Sequence, residues 1–192
     1  MMKKIVALIL ALAMTICCAA MAETPAKETL GTLNVNSAFQ IKCQMPEGYK
    51  LAILSSDNSN IYAAVTSEEE GKPQLTLSIA FSDIFTEEDG TALRLNDLPE
   101  EDIEAIRADF REQLSDATFQ DAETALGTRL LIVKGRLDAD SSVVIFYSVY
   151  KSYEVELVAT MGQDLDAQDL TEEQTQTIID FLTNMDFDEI AE

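Results

Sequence analysis

The sequence predicts an α+β fold: an antiparallel β-sheet of about six strands with a helix packed on each face, in the order strands, helix, strands, helix. Three observations carry this. The stretch Thr128 to Met161 reads as a β-meander, TRLLIVKGRL and VVIFYSVY around an acidic turn at Asp138 to Ser142, then YEVELVATM. Phe39, Ile41, Cys43 and Met45 alternate with Gln40, Lys42 and Gln44, the period of a half-buried strand. Two segments, one before the meander and one after it, carry helix-start signals followed by apolar residues three and four apart.

The chain begins with Lys3 and Lys4, an apolar run from Ile5 to Leu12, and Ala20-Met21-Ala22. That layout predicts a secretory signal peptide over residues 1–22, cut before Glu23. Cys17 and Cys18 raise a lipoprotein alternative, but Met-Thr-Ile ahead of Cys17 matches a lipid-attachment site poorly. The expected location is therefore extracytoplasmic, secreted or envelope-associated, with no later apolar segment long enough to span a bilayer. Removing Lys3 and Lys4 from 13 basic side chains leaves 11 against 35 acidic ones, a charge of −24. A chain of that charge repels nucleic acid and anionic lipid. The single cysteine left after cleavage, Cys43, cannot form an intrachain disulfide, so the core must hold the fold.

A leader over residues 23–31 is polar, and residues 32–192 are predicted to form one domain. Leu33 to Val35 suits a short edge strand. The Phe39 to Met45 strand stops at Pro46-Glu47-Gly48. Tyr49 to Leu54 and Ile61 to Thr66 read as strands around a polar turn, and Leu75, Leu77, Ile79 and Phe81 alternate as another. A polar connection, Thr86 to Asn96, leads to a helix over Asp97 to Leu114. Asp97 with Glu100 three residues on makes its cap, Pro99 fits its first turn, and Ile103, Ile106, Phe110 and Leu114 form its apolar stripe. In the meander, a two-residue turn at Lys151 and Ser152 would set Tyr150 opposite Tyr153, Ser148 opposite Val155, Phe146 opposite Leu157 and Val144 opposite Ala159. The other face then carries Glu154 and Glu156 beside apolar residues, so it reads as less cleanly buried. Lys-Ser lacks the turn chemistry of Asn-Gly, which leaves a one-residue register slip open. The last helix opens with Thr171-Glu172-Glu173-Gln174 and presents Ile178, Phe181, Leu182 and Met185.

The early strand running into Pro46-Glu47-Gly48-Tyr49, the helix before the meander, and the closing Phe181-Leu182 and Met185-Asp186-Phe187 resemble the PsbP-like and DcrB-like extracytoplasmic domains. The resemblance implies an antiparallel sheet covered by helices on both faces, and an accessory, assembly or binding role. It transfers no functional residue.

The chain has no histidine, which excludes Ser-His-Asp and Cys-His mechanisms within it and removes the usual ligand of zinc, copper and haem sites. No phosphate-binding glycine loop is present. Cys43, on the apolar face of its strand, reads as an inert buried thiol. Carboxylates are the one abundant chemistry. A glycosidase would need two of them across a cleft, and no pair stands out. Calcium is the candidate cofactor: Asp164, Asp166 and Asp169 share one loop with Gln168, although the spacing departs from an EF-hand. The plainer reading of that loop is a solvated lead into a capped helix. Tyr147, Tyr150 and Tyr153 are either core residues or anchors for a partner at the sheet's end. These features together predict a non-enzymatic accessory or binding domain whose partner is an extracytoplasmic protein or envelope component. The alternatives are a small-ligand or calcium-binding domain and, weaker, a carboxylate-dependent hydrolase. An apolar pocket would favour the ligand reading, and carboxylates across a cleft the hydrolase.

Overall fold

A computed structural model describes residues 30–35, 38–57, 59–69, 71–137, 141–161 and 169–189, so the predicted signal peptide, Asp164 and Asp166 lie outside the described residues. In chain order the elements are β1 (Leu30–Val35), β2 (Phe39–Gln44), β3 (Tyr49–Ser56), β4 (Asn60–Ser67), β5 (Gln74–Phe81), α1 (Glu100–Gln113), β6 (Ser115–Glu123), β7 (Arg129–Arg136), β8 (Ser142–Tyr150), β9 (Tyr153–Thr160), α2 (Glu172–Thr183) and β10 (Asp186–Glu189). They form two antiparallel sheets, β1-β2-β10 and β3-β4-β5-β9-β8-β7-β6.

This corrects the expected α+β sandwich of about six strands with a helix on each face. The protein is mostly β, with ten strands in two sheets and only two helices among the described residues. The turn at Pro46-Glu47-Gly48 separates β2 from β3, and β2 pairs instead with β1 and β10 in a small sheet. That small sheet, together with α2, covers one face of the large sheet. Two strands escape a reading by hydrophobic period. β6 is an edge strand of mostly polar residues, with Asp116, Asp121 and Glu123 in its nine positions. β10 is four residues long, and only Phe187 in it is buried.

The two faces of the large sheet head two cores. On the first, Phe39 and Ile41 of β2, Phe187 of β10, and Ile178, Phe181 and Leu182 of α2 pack on Leu75, Leu77, Phe146 and Leu157. On the second, Ile103, Ile106 and Phe110 of α1, with Leu114 just beyond it, pack on Leu131, Val133, Ile145 and Tyr147. Burying each such large apolar side chain contributes about 1.5–3 kcal/mol. Close approach of α1's end to β7 requires Gly135, where a Cβ would lie 3.0 Å from Leu114 Cβ and 3.1 Å from the Ser115 carbonyl.

Local signals explain the helix ends differently. Thr171 caps α2 as expected: its hydroxyl accepts from the Gln174 N–H at 3.2 Å, and Gln174 Oε1 accepts from the Thr171 N–H at 2.8 Å. Asp97 does not cap α1. Its carboxylate accepts the Arg94 N–H at 2.9 Å and closes a short 3-10 turn, Leu95–Asp97, while α1 starts after Pro99 with no side-chain cap.

The β8–β9 hairpin pairs Tyr150 with Tyr153, Ser148 with Val155, Phe146 with Leu157 and Val144 with Ala159. Its turn residues, Lys151 and Ser152, both adopt left-handed backbone, φ 52° and 65°. Neither is glycine, so the turn is held from outside. Ser152 is 1% exposed. Its N–H donates to the Leu93 carbonyl at 3.0 Å, its carbonyl accepts the Ser82 N–H at 2.9 Å, and its hydroxyl donates to the Phe85 carbonyl at 2.6 Å. Among the described residues no helix is long and apolar enough to cross a membrane.

Candidate functional site

A groove of about 290 Å³ opens where the start of α2 meets one end of the large sheet. Three segments build it. The turn after β2 contributes Pro46 and Glu47 and the start of β3 Tyr49, the turn between β4 and β5 contributes Lys72 and Pro73 and the start of β5 Leu75, and α2 contributes Glu173, Gln174, Thr177, Ile178 and Phe181. Gly48 turns the chain into the first wall with φ 83°, and a Cβ there would come within 2.9 Å of Glu69 Oε1. Tyr49 spans to the second wall, its hydroxyl donating to the Pro73 carbonyl at 3.0 Å. Burial, and then the Glu69 carboxylate, lift the Tyr49 pKa, so the phenol stays protonated and keeps donating. Gln174 Nε2 ties α2 to the same turn by donating to the Gly71 carbonyl at 2.9 Å. The floor is apolar, from Tyr49, Leu75, Ile178 and Phe181, and the rim carries Glu47, Glu173 and Lys72. Such a lining can desolvate an apolar group and orient it by a few charges.

The second unusual constellation lies on the opposite face of the large sheet. Glu154 and Glu156 stand two apart on β9 and so project to the same face. They are 4% and 1% exposed. The Tyr147 hydroxyl donates to Glu154 Oε2 at 3.2 Å. Glu154 Oε1 and both oxygens of Glu156 have no partner, and neither has the hydroxyl of Ser78, the cross-strand neighbour of Glu156. Burial raises the Glu154 pKa, with the Ser82 and Tyr147 hydroxyls holding it back. The Ser82 hydroxyl is close enough for that, without the geometry of a full hydrogen bond. Burial, and then the Glu154 charge, push Glu156 up to about 8.

The three tyrosines are not one cluster. Tyr147 lies on the α1 side, edge-on to Phe110 with ring centres 5.8 Å apart, and burial and Glu154 push its pKa well up. Tyr150 lies on the other face against Phe39 and Phe187, with the Arg94 guanidinium 4.7 Å above its ring. Tyr153 is half-buried between Phe39 and Phe81, and Phe81 is 48% exposed. Of the aspartates considered for calcium, Asp169 is described. Its carboxylate accepts from Arg136 Nη1 at 2.9 Å, and that bond holds its pKa below the usual carboxylate range. Cys43 is buried, and burial raises its thiol pKa.

Sequence reasoning missed the groove because its walls come from two turns and a helix far apart in the chain. Of its lining, Tyr49 was legible only as part of the Pro46-Glu47-Gly48-Tyr49 turn, and Ile178 and Phe181 only as the apolar face of the last helix. The buried carboxyl pair was legible as a face position but not as a buried one. No protein-family model matches the chain and no curated protein matches it; nothing in those comparisons identifies it with the PsbP-like or DcrB-like group.

Proposed function

We propose that this chain is an extracytoplasmic, non-enzymatic binding domain that takes an apolar side chain of a partner protein into the groove between α2 and the end of the large sheet. The observation that carries the reading is the groove itself, an apolar floor of Tyr49, Leu75, Ile178 and Phe181 left open beneath a charged rim. At about 290 Å³ it falls just under the size range typical of whole small-molecule sites, and it suits one or two apolar side chains. Glu47 and Glu173 against Lys72 give the rim a net negative charge that favours a partner with basic residues flanking the inserted group. A binding role also fits the missing histidine and the carboxyl pair sealed away from solvent on the far face.

The test places a photo-cross-linking residue at Glu47 in the full chain expressed in its own host. The expected result is a discrete adduct with an envelope or secreted protein that disappears when Thr177, exposed on the groove's edge, is replaced by tryptophan. An adduct of unchanged yield in Thr177→Trp would refute the groove as the binding site. A second reading rests on Phe81, 48% exposed beside Tyr153, and Ile84, 42% exposed three residues on, as the partner surface. Phe81→Ser would then abolish the adduct while Thr177→Trp would not.

A further inference from the structure

We propose that Glu154 and Glu156 form an acid-tightened latch, a proton-bearing pair whose neutral form keeps α1 and the segment 82–86 closed over the large sheet and whose ionisation lets them lift. The geometry supplies the reason. Two carboxyl groups project side by side from β9 into a face sealed from water, 4% and 1% exposed, and three of their four oxygens have no hydrogen-bond partner. No basic side chain among the described residues pairs with either. An ionised carboxylate in such surroundings is far costlier than a protonated one.

Glu154 lies between apolar cross-strand neighbours, Val149 and Ala80, and the polar groups around the pair are acids, a phenol and hydroxyls. β5 contributes Ser78 opposite Glu156, with Ser82 just past its end. β8 contributes Tyr147, and α1 contributes Asp109, whose charge also acts on Tyr147. Asp83, in the covering segment, is exposed. The Ser82 and Tyr147 hydroxyls favour an ionised Glu154 only in part against its burial, and no group there favours an ionised Glu156. The cover is equally defined. Phe110 of α1 stacks edge-on over Tyr147, whose hydroxyl holds Glu154, and Ser82 sits beside Glu154 at the start of the segment leading to Phe85.

Linkage fixes the direction. Opened to water, Glu156 titrates near its ordinary 4.5; closed, near 8. Between those values the closed form binds about one proton more than the open form. The open fraction therefore rises about tenfold per pH unit as pH climbs from about 5 to 8 and levels off above. A divalent cation is the competing way to neutralise the pair, but among the described residues no third acidic, cysteine or histidine side chain joins the two carboxyl groups as a ligand.

Hydrogen exchange of the full chain, wild type against Glu156→Gln, from pH 5 to 9 tests this, because the ratio of the two proteins' rates at each pH cancels the intrinsic pH dependence of exchange. Peptides from residues 82–86 and 103–114 are expected to exchange faster in the wild type by a factor that grows about tenfold per pH unit to pH 8 and is flat to pH 9. Peptides from β2, the central strand of the small sheet, are expected to stay better protected than these in the wild type at every pH. Glu154→Gln, which removes the neighbouring charge, moves the plateau to lower pH and keeps the test available if Glu156→Gln does not fold. A ratio independent of pH overturns the latch. So does equal protection of β2 and the covering peptides in the wild type at every pH, which would make the opening global unfolding, or loss of the growth on adding millimolar calcium, which would make the pair a cation site.

Discussion

Ser152 holds the tip of the central hairpin in a backbone conformation that serine disfavours, and its replacement by alanine and by glycine separates two contributions. Either change deletes the hydroxyl, which donates to the Phe85 carbonyl at 2.6 Å and accepts from Thr86 Oγ1 at 2.8 Å. The loss is tempered on both sides. The Phe85 carbonyl still accepts the Leu93 N–H at 2.9 Å, and the half-buried Thr86 hydroxyl can turn to water. Hydrogen-bond loss is therefore worth about 1–2 kcal/mol. Alanine keeps the left-handed strain at φ 65°, about 1 kcal/mol for a residue with a Cβ, and glycine relieves it. Urea denaturation should thus show Ser152→Ala destabilised by about 1–2 kcal/mol and Ser152→Gly by about 1 kcal/mol less than that. A glycine variant less stable than the alanine variant would refute the argument that the turn is strained and held by its neighbours.

Glu156→Gln replaces the protonated acid by a near-isostere. Because the folded pKa is raised from 4.5 to about 8, wild-type stability should fall relative to the variant by at most about 4 kcal/mol between pH 5 and pH 8, as read from urea midpoints at the two pH values. Equal pH dependence of the two proteins would contradict that assignment. Gly48→Ala combines a left-handed φ of 83° with a Cβ 2.9 Å from Glu69 Oε1. It should cost about 1–2 kcal/mol in thermal or urea denaturation, and a neutral result would show that the Pro46-Glu47-Gly48 turn can relax. Added calcium, against a magnesium control, should leave the melting temperature unchanged because the Asp169 carboxylate is engaged by Arg136; a rise of several degrees that Asp169→Asn abolishes would show a site in that loop.

The two strands of the central hairpin were legible from the β-branched and aromatic runs on either side of Lys151-Ser152, while the register stayed open to a one-residue slip that the left-handed backbone at both turn residues closes. The α2 cap was equally clear, since Thr171 and Gln174 satisfy each other's backbone within four residues. What could not be read depends on partners distant in sequence. Phe187 is one apolar residue in a charged tail until β2 offers it an edge, and Phe119 sits in a polar run until Arg129 pairs with Asp121 across β6 and β7. Asp97 satisfies a helix-cap pattern, yet the tighter turn it closes with Arg94 takes its carboxylate first. Glu154 and Glu156 show why polarity does not reveal exposure: alternation placed them on one face, and only the packing of α1 and residues 82–86 put that face out of reach of water.

The central claim concerns the groove, and the most direct measurement is the affinity of the cross-linked partner, once purified, for three forms of the full chain by titration calorimetry. Thr177→Trp fills the groove from its edge, and Gln176→Trp places the same bulk one residue away on an exposed position outside the lining. Thr177→Trp is expected to bind at least tenfold more weakly than wild type at an unchanged melting temperature, while Gln176→Trp binds as the wild type does. Equal affinity of all three would place the partner elsewhere on the molecule and contradict the account.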